Sequence, residues 1–416
     1  MDADFEAERD SLRDECEHWR RAAVGLTDLD VVASAGAWRS LESYLGLSIR
    51  SSLEVAADRV VAQAAAVAAE IAAAAAPADL ARLRAGILAL RDRYDSAEFV
   101  IDFYGDAINT RVNPRIGGML RGLDALAVDG MDRVLRPLAI DVPPVITYLD
   151  KGRGASVLRA GSRLWDSSLA PVAAIKITRH NVTSPSSIMH EAGHQISALT
   201  GWADELGALL HARLAPSSVL AAETWQAWAS EVAADVYCFA SLGYAPVPAL
   251  ATVVDGRSAK VFAVRFGDPH PFGWIRVLFN VALCRSWYGP GPWDTLGRAW
   301  MLRHDLRTAP PDSRAIAEAS LKDMATIVDA CTRAPMRSLG GQSLASLVDP
   351  RRVSPTELQR FAARAGASLY TSSYLQRLES MRVLAWTIGQ GRMPGAGDGQ
   401  VERWLRTMGG ESSLAA

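Results

Sequence analysis

The sequence predicts a mainly α-helical protein with a small β-sheet, an α+β fold. Residues 1–140 and 306–416 are rich in strong helix formers. Two short runs of β-branched residues occur near positions 145 and 172, and helical patterning resumes directly after the second run. With 416 residues, the chain is long enough for two or three domains with sizeable cores.

The N-terminal region, residues 1–140, is predicted to be helical. Charged residues interleave with Leu, Ala and Val from Phe5 to Ala23. An Ala-rich segment then runs from Leu53 to Tyr94 and is broken only at Pro77, where a helix is expected to restart. Because alanine forms helix easily but buries little side-chain volume, we expect a packing or oligomerisation scaffold here.

One stretch, Val60–Ala76, has the hydropathy of a possible membrane span. It is mostly Ala, contains Gln63 and Glu70, and is shorter than the roughly 20 residues that a span needs. The acidic start of the chain also lacks the basic and apolar segments of a secretory signal. We therefore predict a soluble, cytoplasmic protein without stable membrane insertion.

Composition argues against several classes of partner. Hydrophobic residues make up 49% and charged residues 22% of the chain, which is a globular balance. The net charge is −2, and neither a basic stripe for nucleic acid nor a phosphate-cradling glycine run is present. The four cysteines form no C-x-x-C pair, so reduced thiols in a reducing compartment are expected. The oligomeric state stays open.

A central domain, residues 141–305, is predicted to contain the sheet. Val145–Leu149 is a β-branched and aromatic run, and Pro171–Thr178 is a second strand candidate. Farther along, Gly289–Pro292 and Ala309–Pro311 are predicted helix breaks. In the C-terminal region, 306–416, a capping box with Pro at the first helical position predicts a helix start at Ser354–Glu357.

The most informative stretch is the H-E-x-x-H motif at His190–His194. Ser184, followed by Pro185, predicts that a helix begins just before it. Positions four apart lie on one face of a helix, so His190 and His194 can bind one metal ion. Glu191 can then reach a water molecule as a general base. This pattern is typical of Zn²⁺ peptidases.

Zinc needs a third protein ligand and one open position. The extended motif with a third histidine is excluded, because it would require Gly and His at the positions of Ser197 and Thr200. Glu231 is the predicted third ligand, with Glu223 and His211 as rivals.

Glu231 and Asp235 are expected to lie one turn apart on a single helix, Glu223–Leu242. Asp235 would accept a hydrogen bond from the outer N–H of a ligand histidine and so fix its tautomer. The small residues Ala233 and Ala234 would let this helix pack closely on the motif helix.

This combination of H-E-x-x-H with a downstream E-x-x-x-D resembles the gluzincin metallopeptidases. The resemblance implies a zincin-like domain in which His190, His194 and Glu231 bind Zn²⁺ and Glu191 is the base. It also implies that a strand at the sheet edge binds an extended peptide or protein substrate. For Val172–Thr178, this interpretation and that of an ordinary core strand both stay open.

A second segment, Asp268–Val277, contains H-P-x-x-x-x-R and is similar to the family of CAAX prenyl proteases and membrane heat-shock peptidases. That resemblance covers roughly Val145 to Arg276. It implies that His270 and Arg276 lie near the metal and steady the substrate and the transition state. A plain loop residue is the alternative for His270, and a surface ion pair is the alternative for Arg276. Those relatives are membrane-embedded, whereas this sequence shows no convincing membrane span. We therefore expect only a soluble zinc peptidase and do not expect processing of prenylated proteins.

His180 and Cys238 are two further residues that can lie near the site. His180 can face the cleft, whereas Cys238 is expected to be a buried structural thiol. The alternative function is a catalytically silent, zinc-bound pseudopeptidase that acts as a protein-binding scaffold through its helical flanks.

Overall fold

The structure is a computed structural model and describes residues 3–151, 156–160, 170, 172–265, 267–390 and 398–410. Helices dominate it, and the described strands form one three-stranded sheet, which confirms the predicted fold class. Among these residues, no helix combines the length and the apolar character that a membrane crossing requires.

Two compact units make up the chain. One contains Met1–Gly117 and Ala160–Val172, and the other contains Gly118–Arg159 and Ala173–Ala416. These bounds differ from the predicted regions 1–140, 141–305 and 306–416, and that three-region division stays a prediction.

The first unit is built from α1 (Ala3–Gly25), α2 (Ala35–Leu45), α3 (Ile49–Ala73) and α4 (Leu80–Arg111). A 3₁₀ turn at Pro77–Asp79 precedes α4, so the expected break and restart are confirmed. Helix α1 packs against α3 and α4. The buried face of α3 repeats at helical spacing and consists of Leu53, Ala57, Val60, Ala64, Val67 and Ile71.

The sheet of the second unit follows helix α5 (Pro114–Leu135) and contains β1 (Val145–Asp150), β2 (Ser156–Leu158) and β3 (Ala173–Thr178). Its strand order is β1-β3-β2, with β1 parallel and β2 antiparallel to β3. Both predicted strands are confirmed, although Pro171 lies outside the described residues. The interpretation of β3 as an edge strand is wrong, because β3 is the central strand and the unpredicted β2 pairs along its other side.

The motif helix is α6 (Ser187–Thr200), which begins later than Ser184 and Pro185 predicted. Ser184, Pro185 and Ser186 form a turn before the helix, in which the Ser186 N–H donates to the Ser184 carbonyl at 2.9 Å. After α7 (Trp202–Leu214), the predicted single helix Glu223–Leu242 is wrong. It is divided into α8 (Val219–Ala227) and α9 (Ala229–Leu242) at Trp228.

The break at Trp228 has a packing cause. Its indole ring packs edge-on against Trp225 and Phe272, with centroids 5.8 Å from each. The backbone there has ψ near −1°, outside regular helix. As a result, Glu231 lies in the first turn of α9 rather than in the middle of a long helix.

The remaining helices complete the second unit, and the predicted breaks at Gly289–Pro292 and Ala309–Pro311 are confirmed. At Ser354, the hydroxyl accepts the Glu357 N–H at 3.3 Å, so the predicted helix start is also confirmed. The helices are α10 (Val247–Val254), α11 (Ser258–Val261), α12 (Gly273–Tyr288), α13 (Pro292–Arg303), α14 (Pro311–Lys322), α15 (Met324–Thr332), α16 (Leu344–Leu347), α17 (Pro355–Ala365), α18 (Ser373–Leu378), α19 (Ser380–Gln390) and α20 (Asp398–Met408).

Helix α9 lies at the core of the second unit. Every residue of α9 except Ser230 is buried, and α6, α7, α12, α15 and α19 all contact it. It approaches α6 closely at Gly193, where a Cβ atom would lie 2.8 Å from the Ala234 Cα. The predicted close packing of small residues between these helices is therefore present, and it holds the two motifs side by side.

Candidate metal centre

Helices α6 and α9 bring the three predicted ligands together. His194 Nε2 lies 3.1 Å from Glu231 Oε1, and His190 Nε2 lies 3.4 Å from Glu231 Oε2. One donor atom from each residue lies within 4.8 Å of the others. The rivals Glu223 and His211 do not join this group; Glu223 is exposed on α8.

The donor chemistry of this group fits a transition metal. Two imidazole nitrogens and one carboxylate oxygen are the ligand set of many catalytic zinc sites, which leave a fourth position open. The three facing atoms all carry lone pairs, which repel one another unless a proton or a cation lies between them. These residues can therefore hold a divalent cation at the point where their donor atoms converge.

Asp235 orients the first ligand, as predicted for its position one turn after Glu231. His190 Nδ1 lies 3.0 Å from Asp235 Oδ1, so it donates there and leaves Nε2 free as the donor atom for a metal. On the other ligand, the Ser230 hydroxyl lies 3.4 Å from His194 Nδ1. Each histidine thus has an oxygen atom beside its outer nitrogen.

Arg276 is buried and binds both carboxylates of α9. Its Nε and Nη2 atoms donate to the two Asp235 oxygens at 2.8 Å each, and Nη2 also donates to Glu231 Oε2 at 3.1 Å. The interpretation as a surface ion pair is wrong, because Arg276 is only 7% exposed. The guanidinium lies near the candidate ligands, as the H-P-x-x-x-x-R segment implied. Its hydrogen bonds orient the protein's own carboxylates, and its Nη2 atom also lies 3.5 Å from His190 Nε2.

These contacts determine the ionisation of the centre. Burial alone would raise the pKa of Asp235 and of Glu231, but the Arg276 charge and the histidine hydrogen bonds hold both pKa values well below their usual range. Burial lowers the pKa of His190, but its bonds to Asp235 and Glu231 outweigh this and raise the pKa to about 10. Both carboxylates are therefore ionised at neutral pH and attract positive charge.

Asn280 is a part of the centre that the sequence did not reveal. Its side-chain amide donates to Asp235 Oδ2 at 3.3 Å and to the Arg276 carbonyl at 3.0 Å. The sequence feature that could have indicated Asn280 is its position one turn after Arg276, on the same face of α12. An asparagine at such a spacing is too common to be informative without the fold.

Glu191 differs from Glu231 and Asp235 because no described residue pairs with its carboxylate. It is 5% exposed, lines the cavity beside the ligands, and makes no hydrogen bond or ion pair with any residue that the structure describes. Burial raises the pKa of Glu191 above its usual value. A carboxylate that faces the cavity with its lone pairs free is suited to accept a proton.

His270 lies at the mouth of the centre and is half-exposed. Its Nε2 atom is 3.3 Å from Glu231 Oε1, and its Nδ1 atom is 2.6 Å from Asp268 Oδ1. Burial raises the pKa of Asp268, but its bonds to the ring and backbone of His270 outweigh this and lower it. The described residues thus include an Asp-His pair directed at the ligands, as expected for His270, while Asp268 was not singled out.

A cavity of about 860 Å³ opens from the centre. Its wall includes the three candidate metal ligands, Glu191, His180, and the β2 residues Ser156 and Val157. Cys238 also lines it, but this thiol is buried and donates to the Ser186 carbonyl at 3.4 Å.

No protein-family model, curated protein or solved structure matches this chain. The resemblance to gluzincins therefore depends on the motif residues and on the geometry described above.

Proposed function

We propose that the protein is a gluzincin-like zinc peptidase that hydrolyses peptide bonds with Glu191 as general base. One observation carries the proposal. A buried carboxylate, which has no hydrogen-bond or ion-pair partner in the described part of the chain, faces the same cavity as two histidines and a glutamate whose donor atoms lie within 4.8 Å of one another. That combination is the one that hydrolysis with an activated water needs.

When bound by His190, His194 and Glu231, a zinc ion would polarise a peptide carbonyl and lower the pKa of water. Glu191 takes a proton from water as the water oxygen adds to the carbonyl carbon. Glu191 then gives this proton to the amide nitrogen as the C–N bond breaks, so a carboxylic acid and an amine leave; the acid afterwards loses its remaining proton to the solvent or to the amine. His270, at the mouth, donates to the negative charge that develops on the carbonyl oxygen.

The cavity also favours an extended substrate. Among the described strands, β2 has β3 on one side and no strand on the other, and its residues Ser156 and Val157 line the cavity. Backbone groups along such an edge can pair with a peptide strand. We therefore propose that the edge-strand role first considered for β3 belongs to β2.

A cytoplasmic location stays a prediction. It is supported by the four cysteines, all of which are buried and unpaired, as expected in a reducing compartment.

The test compares Glu191→Gln with wild type on a mixed peptide library. We expect the variant to bind one zinc per chain, measured by metal analysis, and to lose at least about 100-fold in hydrolysis. Glu223→Gln is the matched control, because Glu223 is exposed and outside the cavity lining, and it should behave as wild type.

Hydrolysis that persists in Glu191→Gln or in the presence of a chelator contradicts the proposal. Wild-type protein that binds zinc but cleaves no peptide of the library would support the silent scaffold instead.

A further inference from the structure

Outside the metal centre, helix α10 gives the cavity an apolar wall. Pro246, Ala249, Leu250 and Val253 recur at i, i+3, i+4 and i+7, so they share one helix face. All four line the cavity, and the last three are only half-buried by the protein. A helix face of this kind is normally covered by other side chains; here it faces a space that an apolar group can fill.

The same cavity carries an excess of positive charge away from the ligands. Lys260 and Arg265 line it, are exposed, and form no ion pair with any residue in the described part of the chain. Arg159 also lines this wall, and Asp268 is the one acid outside the metal centre among the lining residues that the structure describes. Lys260 and Arg265 thus outnumber Asp268 by one positive charge on this part of the wall, in a chain whose net charge is −2.

These two features call for different chemical groups on one ligand. The α10 face gains from burial of a side chain such as Leu or Phe. The two unpaired cations attract an anion, and the planar guanidinium of Arg265 matches the geometry of a carboxylate. A peptide can supply both groups at once from neighbouring residues.

On the basis of the proposed peptidase function, we propose that the cavity selects peptides that set an apolar side chain against α10 and a carboxylate at Lys260 and Arg265. The carboxylate is either the free C-terminus of the peptide or an acidic side chain. A free terminus would confine cleavage to the last residues of a chain, whereas a side chain would permit cleavage within it.

The test measures peptide binding without cleavage. Zinc-loaded Glu191→Gln protein is titrated against fluorescein-labelled hexapeptides, and Kd is read by fluorescence anisotropy. The peptides differ only at the end and at one internal position: C-terminal carboxylate or amide, and internal Glu or Gln. A second set replaces a central Leu with Ala.

We expect the carboxylate from one of the two sources to tighten binding about tenfold, an advantage that shrinks at higher salt. In the double variant Lys260→Ala, Arg265→Ala, this advantage should fall below about twofold. The matched control is Arg257→Ala, an exposed cation near Lys260 in sequence that does not line the cavity, and it should keep the full advantage. Leu250→Ala should reduce the preference for Leu over Ala peptides.

Equal Kd values for charged and neutral peptides, or no binding by any of them, overturn the proposal. Survival of the tenfold advantage in the double variant overturns it too. Hydrolysis of the same peptides by zinc-loaded wild type is followed in parallel. Peptides that bind with the expected preference but are never cut would reject the peptidase function and leave the recognition intact.

Discussion

Substitution of Gly193 by alanine tests whether close helix contact positions the metal ligands. An added Cβ would lie 2.8 Å from the Ala234 Cα and 3.2 Å from the Tyr237 Cβ. Ordinary contact for such an atom begins at 3.4 Å, so α6 and α9 must separate by about 0.6 Å at this point. Backbone atoms form the closest contact, and they cannot turn aside as a flexible side chain can.

The displacement has two costs. Overpacking of this kind destabilises a protein by about 1–3 kcal/mol, offset by about 1 kcal/mol because alanine favours helix over glycine. Ala234 also lies between Glu231 and Asp235, so its movement shifts both carboxylates relative to the histidines. Metal–ligand distances tolerate only about 0.2 Å, so we expect zinc affinity to fall at least about tenfold.

Two measurements separate these effects. Urea unfolding in the presence of a chelator gives the packing cost, and competition with a chromophoric chelator gives the zinc affinity. Gly86→Ala is the matched control, because its Cβ would meet only the Val67 methyl groups, at 3.8–3.9 Å. That change should stabilise the protein by up to about 1 kcal/mol. If Gly193→Ala is equally stabilising and binds zinc as wild type does, the helix contact does not position the ligands.

Two further substitutions probe the buried charges. Arg276→Met leaves Asp235 and Glu231 without their counter-charge, so unfolding in chelator should become easier by about 3–5 kcal/mol; an unchanged urea midpoint would contradict this. Asp129 has its pKa raised to about 6 by burial, so its native state holds a proton that the unfolded chain releases above pH 4. The contribution of Asp129 to the free energy of unfolding therefore declines as pH rises from about 4 to 6. At pH 7, Asp129→Asn should be more stable than wild type by about 1–2 kcal/mol, a figure that allows for solvent screening of the half-buried carboxyl. At about pH 3.5 this difference should disappear. Equal pH profiles for the two proteins would refute that assignment.

Local spacing predicted the pairing of site residues within each helix. A separation of four residues puts His190 and His194 on one face of a helix, and the same rule pairs Glu231 with Asp235. These relations hold wherever the helices lie. That the two helices would meet was inferred only from small residues and from the resemblance, and the contact at Gly193 now gives it a physical basis.

The features that escaped prediction depend on contacts between distant parts of the chain. The break at Trp228 follows from aromatic packing against Phe272, 44 positions away, which periodicity does not encode. Strand β2 has three residues, too few for an alternation pattern, and exists through its pairing with β3. Asn280 acquires a role only because Asp235 and Arg276 meet beside it.

The balance of buried charge leaves room for a cation at the candidate centre. With Glu231 and Asp235 ionised, Arg276 offsets one of two negative charges, and one remains in a setting where each of these residues is less than 9% exposed. A negative charge on Glu191 adds a second whenever that buried carboxyl loses its proton. Uncompensated buried charge opposes folding. A proton on His190 offsets the remaining charge, but it occupies a nitrogen that faces Glu231. A divalent cation at the point of convergence would offset that charge and also the one that Glu191 carries when it is ionised. Metal binding should therefore stabilise the folded chain as well as complete its chemistry, because the same cation relieves the repulsion that folding creates.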